Sequence, residues 1–383
     1  AFGGRGEKMN KTLLIIIIFI TLVSCNSRIE LPFTLTENNR IVFDANVNGK
    51  QGKYFWDTGA YASHANCNMD NLEPAYNGSM AMLNDSDNLS YYTLNQITIS
   101  GVEIKSVSEV TRITDSLKRK ILDIEGLDGV LGINVFEGYW CEVRFSDNKV
   151  ILHTKKPSGY ASSIKTELDN NYLLVNINID DIQTRFYIDT GDPLTLRLPD
   201  SITHRKNIDK LSKVLASNTY DYYLIPVANT TVLDKELNNV IIPANSHYRQ
   251  VTLSGGTGLI GLNFLKNYNL LLDLTQLRSL KTSDIYYSVI NKKLYCFDIL
   301  PRIPDSGIVS YYVVEDGIII SGIIKDSRLN LLGCGPNTLI IELNNRSIFE
   351  FEPQEIHSLL FSMVGLQSLT VLDKSNERII NIE

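Results

Sequence analysis

Histidine is scarce in this 383-residue chain, with only five copies. Neither HExxH nor a paired CxxC occurs, so no zinc ligand set can be assembled from motifs. Positive charge is not in excess: 36 Lys and Arg stand against 43 Asp and Glu, a net charge of -7. Nothing in that balance favours nucleic acid. After residue 25 no stretch stays apolar for the roughly 18 residues that a membrane helix needs. Apolar residues are not depleted either. They make up 44% of the chain, with 21% charged, which excludes a fibre or a long disordered tail. The length suits two or three domains of about 100–150 residues. Nineteen tyrosines and many Ile and Leu make it read as mainly strand.

The N-terminus carries an address. Met9 reads as a start and Lys11 as a positive flank. Leu13–Val23 is a run of about eleven almost wholly apolar residues, too short to span a bilayer. It ends Leu22-Val23-Ser24-Cys25, which resembles a bacterial lipobox, where the cysteine is lipidated. That resemblance implies a signal peptide within residues 1–25 and a membrane anchor on Cys25. The chain would then belong to the cell envelope and face the periplasm, on either membrane. Cys67, Cys141, Cys296 and Cys334 remain. An oxidising compartment permits disulfides, and four cysteines allow three pairings, among which the spacing does not choose. Unpaired buried thiols are equally open.

The chain repeats itself. From Val42 it reads VFDANVNGKQGKYFWDTG and from Leu174 LVNINIDDIQTRFYIDTG, without a gap, at an offset of 132 residues. Each block alternates, turns at Asn48-Gly49 or Asp180-Asp181, runs apolar again and ends in Asp-Thr-Gly, the signature of a hairpin. A second block recurs at an offset of 129: GVLGINVFEGYWCEVRF from Gly129 and GLIGLNFLKNYNLLLDL from Gly258. Both carry an apolar-apolar-Gly triplet, then Asn134 or Asn263, a helix-like turn, Tyr139 or Tyr268, and a closing strand. Two copies are too few for a solenoid, so a pseudo-dimer is expected.

Each repeated Asp follows a buried run, Phe55-Trp56-Asp57 and Tyr187-Ile188-Asp189, where an unpaired carboxylate is costly. Gly59 and Gly191 allow tight turns, and Thr58 and Thr190 can hydrogen-bond to the opposite loop. A pseudo-twofold axis would bring the loops together. Two carboxyls a few Å apart share one proton, which suits general acid–base hydrolysis of a peptide with water as nucleophile. Here the chain resembles the pepsin/retropepsin clan of aspartic peptidases, most closely bacterial retropepsin-like lipoproteins of the Bacteroidetes type. The resemblance rests on Asp57-Thr58-Gly59-Ala60 with Val130-Leu131-Gly132, and on Asp189-Thr190-Gly191-Asp192 with Leu259-Ile260-Gly261. It spans roughly residues 40–285. It implies tandem β-barrel halves over residues 26–155 and 156–298, catalysis by Asp57 and Asp189, bracing by Thr58, Gly59, Thr190 and Gly191, and ψ-shaped loops at Gly132 and Gly261. No metal or cofactor is implied, and both halves in one chain make a monomer sufficient. Activity does not follow from the fold. A peptide-binding lipoprotein that has lost the chemistry is the alternative.

Two departures bear on that choice. Ala60 stands where pepsins carry Ser or Thr, and loss of a hydroxyl donor should move the pH optimum toward neutral. Asp192 adds a third carboxylate. It can point to solvent, face and perturb the pair, or mark a copy without catalysis. Ile97–Ser108 reads as a hairpin turning at Ser100-Gly101, either the substrate-covering flap or the strand pair after it. Leu233–Pro243 keeps the alternation without a Gly. His64 reads as a surface or packing residue.

The repeat stops near residue 285, and Pro301, Pro304 and Gly307 mark a linker-like stretch. Beyond it come strands at Gly317–Gly322 and Leu339–Leu343, a short helix and turn at Ser327–Gly335, and helical spacing over Pro353–Val364. Ser368–Leu372 and Arg378–Ile382 form a closing hairpin. This order over residues 299–383 resembles a PDZ domain of bacterial proteases. It implies capture of a C-terminal peptide as an added strand, with its carboxylate held near Gly307–Tyr311. The alternative is a small stabilising cap.

Overall fold

The computed structural model describes residues 28–36, 38–70, 72–82, 85–113, 122, 125–169, 171–205, 212–216, 222–245, 257–279, 281–290, 299–300, 302–373 and 376–382. Cys25, the apolar run before it and Cys296 lie outside these residues. The chain is mainly β, 57% strand and 10% helix, with a closed six-stranded barrel.

The barrel starts from the first repeated hairpin. Ile41–Val47 buries alternate residues and turns at Asn48 and Gly49, φ +49° and +85°, the double left-handed geometry that suits a tight hairpin. Lys50–Asp57 pairs back from Val47↔Lys50 to Val42↔Phe55. Its buried end lies parallel to Gly129–Gly132, with Asp57 opposite Gly132. Gly129–Gly132 meets Ser63–Ala65, which runs parallel to Val102–Arg112. Val102–Arg112 pairs with Asp85–Ile99, and Ala45↔Ile99 closes the ring. The Ser100-Gly101 turn falls where the sequence puts it, with both residues at positive φ. Beyond it, Tyr76–Met82 pairs with the far end of Asp85–Ile99 and extends a second hairpin.

The second repeat follows a corresponding path. Tyr172–Ile179 and Ile182–Asp189 form its hairpin. Gly258–Gly261 lies parallel, with Asp189 opposite Gly261, and Leu196–Arg197 flanks it. A parallel bridge between Leu198 and Ala244 leads to Lys235–Asn245, whose partner is Tyr222–Val232. Ile179↔Thr230 returns to the start. The Leu233–Pro243 segment is thus the turn and second strand of a regular hairpin.

The two repeats join through their closing strands. Trp140–Arg144 pairs antiparallel with Tyr268–Asp273, from Trp140↔Asp273 to Val143↔Leu270. Lys149–His153 and Arg28–Pro32 extend this sheet on one side, Thr282–Val289 and Ser162–Asp169 on the other. One apolar core runs from Leu31 to Ile299 and contains Trp56, Phe136, Phe264 and Tyr268.

A second core gathers residues from Ile308 to Ile380. It lies among Ile308–Val314, Gly317–Ile324, Leu339–Leu343, Ser368–Asp373, Asn376–Asn381 and the helix Pro353–Ser362. Ser212–Ala216 crosses from the second repeat and pairs with Gly317–Ile324, from Val214↔Ile324 to Ala216↔Gly322. Val214, Tyr222, Leu224, Leu300 and Ile324 cover that joint. Cys67, Cys141 and Cys334 are free thiols, so of the open alternatives these three take the unpaired one.

Candidate active site

Asp57 and Asp189 end equivalent strands, and their loops meet. The contact is close enough to make both glycines necessary. A Cβ on Gly59 would sit 2.5–2.6 Å from the Asp189 carboxyl, and one on Gly191 closer still to that of Asp57. The two carboxyls lie within direct reach of each other across this joint. Gly59 N–H donates to Asp57 Oδ1 at 2.7 Å, and Gly191 N–H to Asp189 Oδ1 at 2.8 Å.

The threonines cross between the loops. Thr58 N–H donates to Thr190 Oγ1 and Thr190 N–H to Thr58 Oγ1, both at 3.0 Å. Each hydroxyl then donates onward into the other repeat, Thr58 to Ile188 O at 2.7 Å and Thr190 to Trp56 O at 2.9 Å. Both threonines are 1% exposed, so the four bonds form a dry cross-brace beneath the carboxyls.

Behind each loop lies the glycine segment. The N–H of Gly132 donates to Ser63 Oγ at 3.0 Å, and Ser63 in turn to Asn134 Oδ1 at 2.9 Å. In the second repeat Asn263 Nδ2 donates to Thr195 Oγ1 at 2.9 Å. Asn134 and Asn263 stand out in the sequence. Their hydroxyl partners Ser63 and Thr195 do not, although the 132-residue offset relates them. A Cβ on Gly132 or Gly261 would collide with backbone carbonyls of Tyr61 or Leu194.

The two carboxyls are unequal. Burial raises both, because desolvation disfavours charge. For Asp57 this is opposed by the Asp189 hydrogen bond, then by the Arg40 guanidinium and the Gly59 and Ala60 N–H groups. Asp189 is pushed well above the usual range by burial and then by the charges of Asp57 and Asp192. The nearby cation Arg40 acts on Asp57 and the nearby carboxylate Asp192 on Asp189, and the pair holds one shared proton between them. Asp192 is 5% exposed and ion-paired with Arg197, while its Oδ1 accepts from Leu194 N–H at 2.9 Å. Of the three readings of Asp192, solvent exposure is excluded. Its charge bears on Asp189, but its own oxygens are turned to Arg197 and Leu194.

Apolar clusters flank the carboxyls: Val42, Phe55, Leu122 and Val130 beside the first loop, Leu174, Tyr187 and Leu259 with Tyr172 beside the second. Burial, with the Asp57 charge a smaller contribution, pushes the Tyr172 phenol up to about 12. His64 is 2% exposed and its Nδ1 has no hydrogen-bond partner among the described residues. Burial holds it down to about 4, so it is a neutral packing residue. A polar cleft of about 340 Å³ lies away from the pair, lined by Glu142, Arg144, Tyr160 and Asn269 among others. The Glu142 carboxylate there is already engaged by Arg144, His153 and Tyr160. Among the described residues no cluster of His, Cys, Asp or Glu is arranged to hold a metal. A scan of protein-family models and a search of curated proteins each find no match to the chain.

Proposed function

We propose that this chain is an aspartic-type endopeptidase of tandem retropepsin-like halves, with a PDZ-like domain and a lipid anchor on Cys25. The observation that carries the reading is the pair of carboxyls, Asp189 buried and Asp57 half-buried, brought together above crossed threonines. The matching strand circuits of the two repeats support tandem halves. In the first step the Asp57 carboxylate takes a proton from a water whose oxygen attacks the substrate carbonyl carbon. Asp189 gives its proton to the carbonyl oxygen, and a neutral gem-diol forms. In the second step Asp57 returns its proton to the departing nitrogen as the C–N bond breaks, and Asp189 recovers one from a gem-diol hydroxyl. Water is the nucleophile and both carboxyls end as they began. The substrate is a peptide or protein in the cell envelope.

The alternative of a binding lipoprotein without catalysis leaned on Asp192. With that carboxylate engaged by Arg197, no observation favours it. For the C-terminal domain, support comes from the order of its elements and from the loop before Ile308–Val314. Asp305 N–H donates to Phe361 O at 2.9 Å, tying that loop to the end of the Pro353–Ser362 helix. A peptide with a free C-terminus would lie along the strand beside this helix.

Cleavage of a mixed peptide library between pH 3 and 8 tests the reading, using the chain from Asn26 beside Asp57→Asn and Asp189→Asn. Cleavage is expected from the wild type alone. A folded wild type that cuts nothing, or a variant that still cuts, would overturn it.

A further inference from the structure

Arg40 is a cation buried beside an acidic pair, and it was not among the residues that the sequence singled out. Its side chain is 7% exposed and pairs with Glu125, itself 15% exposed. The pairing is a fork: Nε donates to Oε2 at 2.9 Å and Nη2 to Oε1 at 2.8 Å. Nη1 donates to the carbonyl of Gly191, two residues past Asp189. Its Cζ lies over the ring of Phe55, 4.8 Å from the ring centroid, two residues before Asp57. One side chain thus touches the supports of both carboxyls.

Its backbone is fixed as well. Arg40 N–H donates to Thr36 Oγ1 and its carbonyl accepts from Thr36 N–H, both at 3.0 Å. The neighbouring Asn39 donates to Pro193 O at 3.1 Å and accepts from Lys266 Nζ at 2.7 Å. Asn39 and Arg40 therefore dock the first repeat onto the second Asp loop.

The repeat makes the placement informative. The position 132 residues after Arg40 is Tyr172, whose phenol feels the charge of Asp57 and a hydrogen bond from the Tyr61 backbone. Equivalent positions thus hold a cation and a neutral phenol. We propose that Arg40 is a positioning residue for the Asp57–Asp189 pair: with Glu125 it locks the two loops together and keeps Asp57 as the proton-accepting carboxylate. The assignment rests on the peptidase reading above and names what makes two identical loops unequal.

Among the described residues the charged and titratable groups around the pair include Arg40, Glu125, Asp192, Arg197, Tyr172 and Tyr187. The charge of Arg40 acts directly on Asp57 and is only partly offset by its partner Glu125. In Arg40→Gln an uncompensated carboxylate remains, and the pair should titrate about 0.5–1 pH unit higher. In Glu125→Gln an uncompensated guanidinium remains, and it should titrate lower by a similar amount. The double variant should keep the direction of Arg40→Gln at a smaller size, and Arg40→Lys should stay near wild type because the charge is kept.

The experiment is a ¹³C-carboxyl NMR titration of the aspartate-labelled full chain, alongside the pH profile of kcat/KM for peptide cleavage. Shifts of opposite sign support the assignment. Shifts of the same sign, or none, overturn it, and so does a double variant that titrates like wild type, since the ion pair would then set no difference between the two loops. Glu125→Gln is nearly isosteric and decides the matter alone if Arg40→Gln does not fold. The titration needs no cleavage. Opposite shifts without wild-type cleavage would sink the peptidase reading and leave the charge role of Arg40 standing. Cleavage without those shifts would do the reverse.

Discussion

Replacing Thr58 with valine removes one hydroxyl and keeps nearly the same shape. That hydroxyl makes two bonds, to Ile188 O at 2.7 Å and from Thr190 N–H at 3.0 Å. Both partners belong to the other repeat, and water cannot replace the hydroxyl where Thr58 is 1% exposed. Each lost bond costs about 1 kcal/mol, and the stranded Thr190 N–H adds about 1–3 kcal/mol of unsatisfied burial. The expected loss is therefore about 3–5 kcal/mol, a large share of the roughly 5–15 kcal/mol that domains possess. Thr58→Ser keeps the hydroxyl and should cost only its methyl, about 1 kcal/mol. Urea unfolding followed by near-UV circular dichroism measures both at pH 7. If Thr58→Val costs no more than Thr58→Ser, the cross-brace contributes little and this accounting is wrong.

Two further predictions concern pH, and their signs oppose. Asp189 is raised in the native state, so between its unfolded value of about 4 and its native value the folded chain binds more protons and stability falls as pH rises. Asp189→Asn should thus be more stable than wild type at pH 7, the gain vanishing by about pH 3; urea midpoints at pH 3, 5 and 7 check this, and an equal gain at all three would refute it. His64 is held down to about 4, so the unfolded chain binds the extra proton and stability drops as pH falls from about 6.5 toward 4. This group alone accounts for about 3 kcal/mol of that drop; the stability difference between wild type and His64→Leu should change with pH accordingly, and a flat difference would count against it.

Local signals carried far in this sequence. The hairpin ending at Asp57 was legible because alternation, an Asn-Gly turn and Asp-Thr-Gly all lie within 18 residues. The same holds for Leu339–Leu343, which ends in two asparagines at positive φ, and for the helix that opens at Pro353. What stayed hidden depends on distant partners. Arg40 looks like an ordinary polar residue at a strand entrance until Glu125 and Gly191 are brought to it, 85 and 151 residues away. Glu142 sits in an alternating strand, and nothing local says that Arg144, His153 and Tyr160 will enclose it. Asp192 could be flagged but not interpreted, since its meaning lies in which way the carboxylate turns. Ser212–Ala216 shows a strand's composition but not its partner in another core.

That last strand fixes an order of events. Val214 pairs with Ile324, a residue made about 110 positions later. At about 5–20 residues per second, the strand waits several seconds or more for its partner as the chain is synthesised. Through that interval Val214 and Tyr222 lack the cover of Ile324. Loop closure over so long a span is slow in itself. A chain stopped before residue 317 would keep this edge open for good, ready to pair with a neighbouring copy. The C-terminal segment therefore closes an edge that the second repeat leaves open.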